Sequence, residues 1–216
     1  MDLKELLAPG IRALRSHWGR VHATAQFPSL YPMILAHTHL YLSHSIPLLE
    51  DALAYTPQGP LGNYLETHIG EEEGHAEWLL EDLKVLGYGE DYVRLVGKRA
   101  PMLTEMVEAQ YQANKQDPSS LLGYMWVLEA YQPPPESFAL LANHYGLPLH
   151  AFSTFKRHAE VDPHHAQDLE SLLGTVEPKA PTQSALRTLQ ALLNYAWMLF
   201  QVARGYQERT FYHGIR

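Results

Sequence analysis

Eight residues at 158–165, HAEVDPHH, hold three histidines, a glutamate and an aspartate around one proline. On a helix, offsets of four and seven residues nearly close whole turns, so His158, Asp162 and His165 share a face. Two imidazoles and a carboxylate on one face suit a divalent first-row metal such as iron or manganese; a structural zinc more often recruits thiolates. A second reading stands beside this one. Asp162 and Pro163 also fit a helix start, as N-cap and first helical residue, and His158 would then leave the face. The metal reading requires the helix to run through Pro163, which removes a hydrogen bond and crowds the carbonyl one turn back. His164 is expected to point away.

A related pattern occurs earlier, in THIGEEEGHAEW (67–78). His68, Glu72 and His75 repeat the same offsets, with Glu71 at the edge of their sector. Leu65, Ile69, Leu79 and Leu83 are expected to form the buried stripe beside them, while Glu66, Glu73, Glu77 and Glu81 form a solvated face. Glu-x-x-His on a bundle helix is a signature of carboxylate-bridged di-iron sites, although the same acidic run also fits a plain surface. Glu129 is the third piece, in the apolar and aromatic stretch LLGYMWVLEAY (121–131). A carboxylate buried there needs a partner, since an isolated one costs several kcal/mol; on the wet stripe of an amphipathic helix it needs none. Tyr124, Trp126 and Tyr131 are candidates to line a pocket near it, or to serve as core. Lys156 and Arg157 are expected at the surface.

The elements that must carry these residues read as helices throughout, with no alternating strand. Helices are expected over 2–17, 31–55, 63–87, 100–116, 119–132, 134–146, 147–174 and 183–210. Pro and Gly in TPQGPLG (56–62), PPP (133–135) and TVEPKAPT (175–182) separate them, and Gly87 and Gly174 are natural stops. The fold class is all-α: one domain over 1–216, built as a bundle of seven or eight helices with no sustained heptad. Residues 191–203 are the most apolar stretch, too short to span a bilayer; Tyr195, Trp197 and Phe200 in it fit either core or a homodimer face.

Composition narrows the function. A net charge of −8 supplies no basic stripe for nucleic acid. The absence of cysteine excludes disulfides, zinc-thiolate sites and thiol nucleophiles. The N-terminal segment carries charges where a secretion signal would be apolar, so a cytoplasmic location without membrane attachment is expected.

EEEGH (71–75), Glu129 and HAEVDPHH (158–165), in that order, resemble the pattern of the haem-oxygenase-like di-metal oxidases and oxygenases, also described as iron-containing redox enzymes. The superfamily includes thiaminase II and the pyrroloquinoline-quinone synthase. The resemblance covers roughly residues 30–210. It implies a haem-oxygenase-like fold and activation of O2 at a non-haem dinuclear iron site, with two Fe(II) ions, or manganese, as cofactor and a small organic molecule as substrate. Carried over by position, it implies Glu72, His75, Glu129, His158, Asp162 and His165 as metal ligands. His68 stands where some members have a glutamate, and would be a substitute ligand or a neighbour of one. Some members also use a glutamate on the preceding helix, where this chain offers only His37, His39 and His44. Nothing resembles the proximal-histidine and glycine-rich helices that hold haem, so none is expected, and thiaminase II chemistry needs a cysteine. Two alternatives remain: a metal-independent small-molecule binder akin to the pyrroloquinoline-quinone synthase, and a metal-binding helical protein without turnover.

Overall fold

The computed structural model of the chain describes residues 3–129 and 133–205, and not the side chains of 161–164. Among the described residues the chain forms no strand and eleven α-helices. They are α1 (Leu3–His22), α2 (Phe27–Leu42), α3 (Ser45–Ala54), α4 (Pro60–Glu71), α5 (His75–Val85) and α6 (Glu90–Gly97). After these come α7 (Pro101–Gln116), α8 (Ser120–Glu129), α9 (Glu136–Tyr145), α10 (Ser153–Leu173) and α11 (Lys179–Ala203), with a 3-10 turn at Leu149–Phe152 before α10. No helix is long and apolar enough to cross a membrane, among the described residues.

The all-α reading holds, and the differences from the expected elements have local causes. The helix expected over 31–55 divides at Ser43–His44 into α2 and α3. Pro47, in the first turn of α3, has no N–H for the carbonyl of Ser43 and would crowd it in a continuous helix. The helix expected over 63–87 divides into α4 and α5, because Gly74 takes a left-handed conformation at φ 85° that side chains with a Cβ avoid. The short α6, flanked by Gly89, escapes a search for long periodic segments. The last part of the helix expected over 183–210 lies outside the described residues.

Pro163 does not start a helix. α10 runs unbroken from Ser153 to Leu173, so residues 158, 162 and 165 lie on one continuous helix. The reading of Asp162-Pro163 as a helix start is therefore overturned.

The core gathers around α8, whose residues from Ser120 to Val127 are all buried. It packs between α10, α11 and α7. The approach to α11 is backbone to backbone: a Cβ at Gly123 would stand 1.9 Å from the carbonyl oxygen of Pro181. Glycine is what lets α8 sit deep enough for its last residue, Glu129, to reach the interior. α7 holds the other end, through Gln110 Nε2 donating to Ser120 Oγ at 3.0 Å. At the C-terminal helix, Tyr195 is core and Trp197 is 45% exposed.

Gly123→Ala is expected to destabilise the fold by about 3 kcal/mol, the upper range for overpacking a site that cannot yield. Thermal unfolding checks it; an unchanged midpoint would mean that α8 and α11 have room to part.

Candidate metal centre

The break at Gly74 shapes the site. His68 lies in the last turn of α4, Glu72 follows that helix, and His75 opens α5. The chain turns through the site instead of passing it on one straight face. Trp78 N–H closes the first turn of α5 onto the carbonyl of Gly74 at 3.2 Å. His75 then stands 3.3 Å from Glu72, Nδ1 to Oε1.

A second link joins α5 to α10. Asp82 is 2% exposed, and its Oδ2 accepts the backbone N–H of Thr154 at 2.9 Å, in the first turn of α10. Burial pushes the Asp82 carboxyl above its usual range, against the opposing pull of the Thr154 and Ser153 donors and of Arg157. The helix carrying His158 and His165 is thus tied to the helix carrying His75.

The side chains meet in two groups joined by Glu72. In the first, Glu129 Oε1 lies 3.5 Å from His68 Nε2, and Glu129 Oε2 lies 3.6 Å from His165 Nδ1. His68, Glu129 and His165 offer ligand atoms all within 4.8 Å of one another. Glu71 flanks this group, 3.0 Å from His68 Nδ1 and 3.7 Å from His165 Nε2. In the second group the rings of His75 and His158 stand edge to face, 4.8 Å apart. Glu72 Oε1 is shared: 3.3 Å from His75 Nδ1 and 3.7 Å from His68 Nε2.

Hydrogen bonds orient two of the imidazoles. His158 Nδ1 donates to the carbonyl of Thr154 at 3.0 Å, which leaves Nε2 with an unprotonated lone pair. That Nε2 is buried and has no hydrogen-bond partner, as is Glu72 Oε2. His68 Nδ1 donates to Glu71 Oε2, so its Nε2 lone pair faces Glu72 and Glu129. A lone pair facing carboxylate oxygens is repulsive unless a cation lies between them. Burial pushes His158 and His68 below the usual histidine range. Glu72 moves down: burial would raise it, but the imidazoles of His75, His68 and His158 outweigh that effect. Histidines whose second nitrogen is fixed by a carbonyl or carboxylate have the arrangement that accompanies metal ligation. The donor set fits divalent iron or manganese.

Five of the six residues named from the sequence, Glu72, His75, Glu129, His158 and His165, are brought to this wall. The side chain of Asp162 lies outside the described residues. Two more join them, His68 at the centre and Glu71 at the rim. His68 carried the signal already, at an offset of four from Glu72, but its match to a glutamate position obscured it. The earlier histidines lie elsewhere. His37 is fully buried and spans Tyr195 and Val96: its Nε2 donates to the Val96 carbonyl at 2.9 Å, and its Nδ1 accepts from the Tyr195 hydroxyl at 3.0 Å. Burial lowers it to about 4. His44 pairs with the Tyr111 hydroxyl at 3.1 Å. The residues that α2 presents to the cavity are Thr38, Tyr41 and Leu42.

That cavity, about 90 Å³, is lined by His68, Glu72, Glu129 and His158, and by Leu121 and Tyr124 among others. Trp126 is turned away and donates to Glu170. Tyr131 lies outside the described residues. Arg157 covers the face of Trp78, 4.7 Å from its ring centre, and Lys156 pairs with Glu160.

A family model described as iron-containing redox enzyme matches residues 22–197. The chain belongs to that family. A solved structure from Shewanella denitrificans OS217, described as a domain of unknown function with a heme oxygenase-like fold, matches all of this chain and 98% of its own. The TM-score is 0.78 at 20% identity, a likeness that carries the fold. No functionally curated protein matches.

Gly74→Ala is expected to cost about 1–2 kcal/mol for forcing a Cβ into the left-handed region and to shift His75 away from Glu72. A urea titration measures the first. A retained wild-type midpoint would show that the turn tolerates a side chain.

Proposed function

We propose that this iron-containing redox enzyme is a non-haem di-iron oxidase or oxygenase that activates O2 and acts on a small organic substrate. Glu72 carries the reading. One of its oxygens lies between His68 and His75, so a single carboxylate serves both groups of donors. His68, Glu129 and His165 would hold one iron, with Glu71 at its outer side. His75 and His158 would hold the second, with Glu72 between the two and Asp162, on the same helix, as a further ligand.

When bound, two Fe(II) ions supply the electrons that reduce O2. The rest falls to the chain. Thr154 and Glu71 fix the rings of His158 and His68 with one nitrogen turned to the site. Three glutamates and Asp162 together offset the charge of two divalent ions. Leu121, Met125 and Leu128 give the same cavity an apolar lining, and less polar surroundings strengthen the charge interactions inside. Metal storage without turnover needs no open space at the donor wall, and the cavity there favours catalysis.

Anaerobic titration with Fe(II) is expected to saturate at two ions per chain. Glu72→Ala lowers that to one or none, and His158→Ala combined with Asp162→Ala does the same. His37→Ala leaves the stoichiometry intact, although it costs about 1–3 kcal/mol by leaving the Val96 carbonyl and Tyr195 hydroxyl unpaired. Stoichiometric uptake followed by O2 consumption supports the oxidase. Absence of uptake sinks every metal reading, and uptake without O2 consumption leaves a storage protein.

A further inference from the structure

A second cavity, of about 440 Å³, lies beside the first. Thr38, Tyr41, Leu128 and Phe155 line both, so the two spaces share one wall. The larger has the volume of a small-molecule site, where about 300–1,000 Å³ is usual. The donor wall of the smaller one has no room for a substrate body of that size.

The larger chamber has a distinct chemistry. Trp18, Phe27, Tyr31, Phe138, Phe152 and Phe155 give it an aromatic lining. These rings are already packed: Tyr31 stacks on Phe152 at 4.2 Å, and Phe138 on Phe155 at 6.0 Å. Rings fixed in this way lose little freedom when a flat ligand settles against them. Among the described residues, the one formally charged side chain in the lining is Arg15, exposed on α1. His22 is uncharged near neutrality, since burial lowers it to about 4. A charged ligand body would find no buried counter-charge there.

In the smaller cavity one group has no structural task. Tyr124 is 4% exposed, and its hydroxyl is buried without a hydrogen-bond partner. An unsatisfied buried hydroxyl costs free energy, so a phenylalanine would serve the core better. The hydroxyl stays protonated, because burial raises it far above the usual phenol range. It can therefore donate to an oxygen that enters the cavity.

We infer that the substrate is an uncharged aromatic molecule bearing one oxygen function, its body in the chamber and its oxygen carried past Leu128 and Phe155 to Tyr124. This rests on the di-iron reading of the adjoining wall, for which it names the substrate class and a positioning residue. Gly19 offers a means of closing the chamber from outside. It lines the chamber, is exposed, and a Cβ there meets nothing within 4 Å.

The probe is 4-phenylphenol, titrated calorimetrically into the metal-free chain. One molecule per chain is expected to bind. Gly19→Phe weakens it about tenfold by filling the entrance. Tyr124→Phe weakens it about fivefold, the worth of one neutral hydrogen bond, while the unfolding midpoint stays level or rises. A purely structural Tyr124 would give the reverse, with a lower midpoint and unchanged affinity. No saturable binding, or binding unaffected by Gly19→Phe, overturns the chamber. Weakening by Gly19→Phe alone overturns the passage to Tyr124. Fe(II) uptake is measured on separate samples. Loss of uptake with probe binding intact fails the metal reading alone, and intact uptake without probe binding fails this inference alone.

Discussion

Glu71, Glu72 and Glu129 approach one another in a place where two of them are nearly out of reach of water. Like charges in such surroundings repel strongly, and the fold has to hold them together against that repulsion. Four histidines lie between them, but burial disfavours the protonated form in His68 and His158. The imidazoles therefore relieve the crowding only in part. The structure carries a crowded polar cluster where α4, α5, α8 and α10 meet.

Much of the architecture answers that constraint. Gly123 removes a side chain so that α8 can press against α11 and bring Glu129 inward. Gly74 turns the chain so that Glu72 and His75 face each other across a bend instead of stacking along a helix. α10 stays helical through Pro163 and delivers His158 to one group and His165 to the other. Each device has a local cost, in lost side-chain packing, a left-handed backbone or a missing hydrogen bond, and each acts on where one of the clustered side chains ends up.

How much of this the sequence disclosed varies from residue to residue. The helical class follows from periodicity alone, and the offsets of four and seven are enough to pick out His158, Asp162 and His165 or His68, Glu72 and His75 as neighbours. Glu129 stands out because an acid amid LLGYMWVL demands an explanation. What stayed hidden depends on tertiary packing. A glycine in a helical run reads the same whether it continues the helix or turns left-handed, so the bend at Gly74 was invisible. Pro163 looked like a helix start by its local preference, and packing against α8 and α5 overrides it. The aromatic chamber joins residues from α1, α2, α9, α10 and α11, and no spacing rule relates Trp18 to Phe138.

Asp82 gives the arrangement a further property. The hydrogen bond it forms with Thr154 spans 72 positions of sequence, so the first turn of α10 borrows its cap from a distant helix. A proline inside a helix removes one of its hydrogen bonds, and α10 carries Pro163. The docking of α5 therefore adds a tie at the end of α10 that its own residues do not supply. A change that loosens either helix is thus passed to the other, so the placement of His75 and that of His158 are coupled through a bond outside the cluster itself.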